Sequence, residues 1–155
     1  MKRIAVIAVI LAVALSATAF AVVGKTPVAF TDSDYAKGLD LKVNMQKPDL
    51  LAYVGKGKEL VILKTKKEVV WYERMTWLSK SMPSDPTVIQ QAFVAFLSQA
   101  VEIPPGTPEY DQLSQVVTGN SGEFMLKTRF VVKITNEQGN GGVKHFIEVW
   151  EKSLQ

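Results

Sequence analysis

Residues 124–150, FMLKTRFVVKITNEQGNGGVKHFIEVW, decide the fold class. Phe124, Leu126, Thr128, Phe130, Val132 and Ile134 take every second position, with Met125, Lys127, Arg129, Val131, Lys133 and Thr135 between them. Beyond Gly139-Asn140-Gly141-Gly142 the alternation resumes: Val143, His145, Ile147 and Val149 hold one phase, and Lys144, Phe146, Glu148 and Trp150 the other. A period of two belongs to a strand with one face buried. The glycine-rich tetrapeptide accepts the positive φ of a turn. The stretch is therefore expected to be one long hairpin.

Toward the N-terminus, Glu59–Lys64 (ELVILK) and Glu68–Leu78 (EVVWYERMTWL) are rich in β-branched and aromatic residues. They flank Thr65-Lys66-Lys67 and predict a second hairpin, although its turn lacks the favoured Asn-Gly chemistry. Between the hairpins, Val88, Ile89, Ala92, Phe93, Phe96, Leu97, Ala100 and Val101 recur at helical spacing, with Gln90, Gln91, Ser98 and Gln99 filling the other side. Asp85 suits an N-cap and Pro86 the first helical position, and Pro104-Pro105 ends the helix. Thr107-Pro108, then Tyr110, Leu113, Val116 and Val117, with Gly119 as a stop, predict a short second helix.

Leu39, Leu41, Val43 and Met45 alternate with polar residues, which predicts a strand over residues 38–46. Pro48-Asp49 followed by LLAYV and Gly55 reads as two helical turns. Residues 22–35 lack a clear period and are expected to form an extended lead-in. The expected order is β-α-β-β-α-α-β-β. The fold class is α+β: a twisted antiparallel sheet of about five strands (two hairpins plus an N-terminal strand), carrying one long amphipathic helix and one or two short helices.

The chain opens with Met1-Lys2-Arg3, twelve apolar residues from Ile4 to Leu15, and small residues in SATAFA. This is the pattern of a secretory signal peptide, residues 1–21, cut after Ala21. Residues 22–155 then form a single exported α+β domain. The alternative is an N-terminal membrane anchor, since Ile4–Val23 carries no charge over a length able to cross a bilayer, with Lys2 and Arg3 left on the cytoplasmic side. Export through the general secretory route to the periplasm or the extracellular space is expected either way.

The 155 residues include no Cys and one His. That excludes a disulfide, a thiol nucleophile, an iron–sulfur cluster and a thiolate zinc site, and one chain cannot build a His-rich metal site. No cofactor is implied. Lys and Arg number 18 against 15 Asp and Glu, so removing Lys2 and Arg3 brings the formal charge from +3 to about +1. The charge is uneven: residues 22–80 hold eleven cations and seven anions, residues 81–155 five and eight.

His145 is the only side chain that titrates near neutrality unperturbed. A hydrolase would need it beside a nucleophile such as Ser114, Ser121 or Ser153 and an orienting carboxylate. Its phase with Val143, Ile147 and Val149 favours a packed strand histidine. Carboxylate pairs are no better placed. Glu148 and Glu151 fall on opposite faces of a regular strand. Asp32 and Asp34 begin a calcium-loop pattern in which Ala36 stands where the third ligand belongs. Gly55-Lys56-Gly57-Lys58 lacks the spacing of a phosphate loop.

Two features remain. Lys56–Lys67 holds five lysines and one glutamate; Lys64, Lys66 and Lys67 gather at one end of the predicted hairpin and Lys56 and Lys58 at the other. They suit attraction to an anionic partner, or protection of an exposed edge against aggregation. Trp71, Tyr72, Trp77, Phe146 and Trp150 fall on predicted strands, with Phe146 and Trp150 on the face opposite His145. They suit a binding groove or, the favoured reading, a second core layer. The candidate ligand- or partner-binding residues are Lys64, Lys66, Lys67, Trp71, Phe146 and Trp150. The function expected is a non-enzymatic exported binding or accessory module of the cell envelope. An envelope protein, an anionic envelope polymer or an apolar small molecule are the partners considered, and nucleic acid is not expected. A small exported hydrolase using His145 or a carboxylate pair is one alternative. A structural subunit of a surface assembly, adding residues 22–35 as a strand to a neighbour, is the other.

Overall fold

The computed structural model describes residues 23–56, 59–78, 86–117, 120–140 and 142–155. The expected signal peptide, the Asp85 cap, Lys58 and the Gly119 stop lie outside them. The elements in chain order are α1 (Pro27–Thr31), α2 (Asp34–Gly38), β1 (Lys42–Lys47), β2 (Leu50–Val54), β3 (Leu60–Lys66) and β4 (Val69–Leu78). They continue with α3 (Pro86–Ala100), α4 (Pro108–Val116), β5 (Gly122–Leu126), β6 (Phe130–Gly139) and β7 (Gly142–Glu151), then a 3₁₀ turn at Lys152–Leu154. Among the described residues the fold is α+β, a seven-stranded antiparallel sheet packed against four helices. The strand order is β1-β2-β3-β4-β7-β6-β5, so two meanders meet where β4 pairs with β7.

Seven strands replace the expected five for two local reasons. LLAYV is strand β2, not helix, because it has ladder partners on both sides: Leu51 faces Gln46 of β1 and Leu63 of β3. Pro48-Asp49 is the turn that delivers it, tied down by the Thr65 N–H donating to the Asp49 carbonyl at 3.0 Å. The second extra strand comes from a break inside residues 124–135. Arg129 N–H donates to the Leu126 carbonyl at 3.1 Å, closing a turn whose central residues Lys127 and Thr128 have φ of 51° and 54°. Leu126 then pairs with Phe130. An even separation leaves both on the same face, so the alternation runs through the turn without a mark.

The lead-in is two short helices rather than an extended segment. Pro27 starts the first, and Ser33 caps the second by accepting from the Ala36 N–H at 3.1 Å. Phe30 and Tyr35 sink into the core from them. Single turns of this length are too brief to show a period. The strand expected over residues 38–46 starts only at Lys42, since Gly38 ends α2 and Leu39 is its C-cap.

Helix α3 lies where expected, but its surroundings differ. Every residue from Ala92 to Val101 is buried, Ser98 and Gln99 included. The side assigned to solvent is closed partly by α4: Gln90 Nε2 donates to the Ser114 carbonyl at 2.7 Å. The Ser98 hydroxyl is absorbed by the Ile103 carbonyl at 2.6 Å. At the α3 C-terminus Lys127 Nζ donates to the carbonyls of Val101 (3.2 Å) and Glu102 (3.0 Å), placing a cation at the negative end of the helix.

The β3–β4 turn likewise places its two central residues in the left-handed region, with Lys67 and Glu68 at φ of 52° and 63°. Hairpin turns with positive φ at both central positions favour glycine at the second. Glu68→Gly and Thr128→Gly are each expected to raise the unfolding free energy by about 1 kcal/mol, since the left-handed region costs a side chain roughly that much. The measurement is urea unfolding: a higher midpoint at unchanged slope is expected.

Candidate functional site

The sheet has two unlike faces. One row across it runs Leu51, Leu63, Glu73, Val149, Val132 and Phe124, the next Tyr53, Val61, Met75, Ile147 and Ile134. Most of these join the buried cluster shared with α1, α2, α3 and α4. The rows between them point the other way. One runs Lys47, Leu50, Lys64, Tyr72, Trp150, Val131, Met125; the next Met45, Ala52, Ile62, Arg74, Glu148, Lys133, Glu123; a third includes Val54, Leu60, Thr76, Phe146 and Thr135. None of these residues belongs to the helix-side cluster. This second face is termed the outer face.

Of the candidate residues, Lys64 and Trp150 share the first outer row, and Phe146 lies on the same face. Trp71 joins them through a β-bulge. Val70 and Glu73 are both fully buried on the helix side, yet stand three residues apart, which a regular strand does not allow. The register shifts opposite Lys64/Thr65, and the extra residue brings the Trp71 and Tyr72 rings to 5.6 Å between centroids. Lys64 Nζ lies over both, 4.6 Å from the Tyr72 centroid and 5.8 Å from that of Trp71. The other two lysines leave the cluster. Lys66 donates to the Gln155 main-chain oxygen at 3.2 Å, and Lys67 is exposed at the turn. Lys56 sits beyond the far end of β2, as the hairpin reading expected.

Three residues absent from the candidate set complete the arrangement. Arg74 Cζ lies 5.6 Å from the Phe146 ring centroid, a second cation laid on an aromatic ring. The Tyr72 hydroxyl donates to Glu148 Oε1; burial first, then this bond, pushes the Tyr72 phenol well above its ordinary value. Only the bulge reveals Tyr72 and Arg74 as neighbours of Trp71, and a bulge leaves no mark in composition. Trp77 belongs elsewhere: it is core, 5.4 Å from Phe93 between ring centroids.

His145 is on the helix face, 7% exposed, with Nδ1 2.8 Å from Asn136 Oδ1. Burial lowers its pKa. It holds an inter-strand position, with Trp77 on one side and Asn136 on the other. The interior also holds a carboxyl that no sequence pattern singles out. Glu73 is fully buried, both its oxygens lack a hydrogen-bond partner, and burial raises its pKa well above the usual carboxylate range. Burial is also the main cause of the raised pKa of Tyr35, whose hydroxyl donates to Met75 Sδ at 2.7 Å.

A groove of 890 Å³ opens between α1 and the β1–β2 corner, with Val28, Pro48, Leu51 and Lys47 among its walls. Lys47 also ends the first outer row. Among the described residues no cluster of acidic or imidazole groups could hold a metal ion, and no helix is long and apolar enough to cross a membrane. No protein-family model, curated protein or solved structure matches the chain.

Proposed function

We propose that the protein is a non-enzymatic binding or accessory module of the cell envelope, exported by its N-terminal leader, and that it works through the outer face of its sheet. The supporting observation is the pair of cation–ring stacks on that face. Lys64 and Arg74 lie on aromatic rings, and among the described residues neither has a carboxylate within ion-pair distance. A monomeric domain that gains nothing from such a surface would pair these cations or leave them in water. Aromatic and arginine side chains are also those that dominate contact surfaces.

The alternatives draw less support. His145 faces Asn136 inside the domain rather than a serine or carboxylate in a cleft. Helices α1 and α2 are anchored by Phe30 and Tyr35, so residues 27–38 do not offer a free strand to a neighbour.

The test is a photo-crosslinking phenylalanine analogue in place of Trp150, compared with the same analogue at exposed Val116 on α4, in intact cells. A discrete adduct from position 150 and none from position 116 is expected. No adduct at position 150, or the same adduct at both, overturns the assignment of the outer face. Native mass spectrometry of the protein recovered from the envelope tests the leader: the expected mass begins at residue 22.

A further inference from the structure

Resting on the outer face as the binding surface, we propose that its ligand is a linear acidic polysaccharide lying across the strands. Its sugar rings pack on the aromatic side chains and its acid groups meet Lys64 and Arg74.

The sign of the ligand follows from the outer positions strand by strand. On β1 to β4 the charged ones are Lys42, Lys47, Lys64, Lys66 and Arg74, with no Asp or Glu. On β5 to β7, Lys133 and Lys144 are offset by Glu123, Glu137 and Glu148. A second copy of the chain would bring an equally cationic surface and be repelled; an acidic ligand over β1–β4 is drawn in. Arg74 Nε and Thr76 Oγ1, two residues apart on that face, are buried without a hydrogen-bond partner. Leaving such groups unmade costs stability, and an oxyanion drawn to Arg74 meets a guanidinium that its bond to the Tyr72 hydroxyl satisfies only in part.

The layout favours a glycan over a protein or a membrane. An acidic peptide taken up by strand addition would use a sheet edge, whereas Lys64 and Arg74 lie on interior strands β3 and β4. Phe146, Trp150 and Trp71 are half-buried in the sheet surface rather than projecting from it, which is poor geometry for entering lipid. Neighbouring strands are spaced by about 4.8 Å, close to the length one sugar adds to an extended chain. Successive sugars thus fall over Lys64 and Trp150, which flank the buried Tyr72 in one row.

The experiment measures binding of the envelope-recovered protein to polygalacturonate, neutral dextran, polyglutamate and phosphatidylglycerol vesicles at low salt. Polygalacturonate is expected to bind, more weakly as salt rises, and dextran to remain unbound. Polyglutamate should bind at least about tenfold more weakly than polygalacturonate. Lys64→Gln, Arg74→Gln and Trp150→Leu should each weaken polygalacturonate binding about tenfold. Lys56→Gln, on the far β2–β3 turn, should leave it unchanged. Arg74→Lys retains the charge and is expected to recover part of the loss, and circular dichroism of each variant checks folding. Equal binding of polyglutamate, binding of vesicles alone, or no polyanion binding overturns the glycan. If position 150 still crosslinks in cells, the outer face survives that result; if it does not, both fail.

Discussion

Replacing Glu73 with Met is expected to stabilise the protein at pH 7 by about 2 kcal/mol, within the range seen when buried charged groups give way to apolar ones. Glu73 lies between Leu63 and Val149 in the sheet register, all three with 0% exposure. Neither carboxylate oxygen has a hydrogen-bond partner, so ionisation in place would strand a charge in the core. The folded protein therefore keeps the proton, and burial holds the pKa raised. In the unfolded chain a glutamate ionises near pH 4.3. Below that pH both states carry the proton and Glu73 has no effect on the pH dependence. Above it the unfolded state releases a proton that the folded state retains, so stability falls as pH rises toward the folded pKa.

Glu151 acts in the opposite sense. Its pKa is lowered, first by the hydrogen bond from Arg129, whose Nε lies 2.6 Å away. Its contribution is present above the unfolded value and lost as pH falls through the folded one. Thermal midpoints from pH 4 to 8 separate the two. Wild type should lose stability toward neutrality relative to Glu73→Met, and the gap should widen with pH. Glu73→Gln should also flatten the curve but gain less, because its amide is left without partners. Parallel curves for wild type and Glu73→Met would show that Glu73 is ionised or solvated in the folded protein.

The second large effect is expected at α3. Phe96 is fully buried, its ring edge-on to Tyr35 with centroids 6.3 Å apart at 62°. Because α3 is enclosed over its whole second half, the space left by truncation has no solvent side from which to relax. Phe96→Ala should cost about 4 kcal/mol, against a total stability of roughly 5–15 kcal/mol for a domain of this kind. The thermal midpoint should fall by more than about 10 °C. Val116→Ala, at a position 52% exposed, should stay within about 0.5 kcal/mol. A Phe96→Ala cost below about 1 kcal/mol would mean that the helix is not held as the packing shows.

The sheet was legible in the sequence wherever alternation was long, as in β6 and β7, and α3 was legible from its eight apolar positions and Pro86. What stayed hidden has a common cause: features one or two residues long do not disturb a periodic pattern enough to be seen. The Lys127-Thr128 turn preserves the phase, so β5 and β6 read as one strand. The bulge at Trp71 adds one residue, so a regular reading places Trp71 with Glu73 and Met75 on one face, whereas Trp71 lies outside. The favoured reading of the aromatics as a second core layer therefore describes Trp77 but not Trp71, Phe146 or Trp150, which lie on the face against which none of the described helices packs. Glu73 escaped notice because a single glutamate in a strand ordinarily faces water; only the register shows that it does not.

The pairing of β4 with β7 bears on how the protein is made. Each meander closes with short turns, so its strands find one another early; the joining ladder, with Tyr72 opposite Trp150, brings together positions about half the chain apart and is slow to form for that reason. Until the last strand arrives, β4 presents an open edge from Val69 to Leu78, the kind of template on which nascent chains aggregate. The same junction assembles the outer face, since Lys64, Tyr72 and Arg74 come from the first meander and Phe146 and Trp150 from the second. A truncated or half-folded chain does not possess that surface in part. The outer face thus distinguishes finished molecules from unfinished ones.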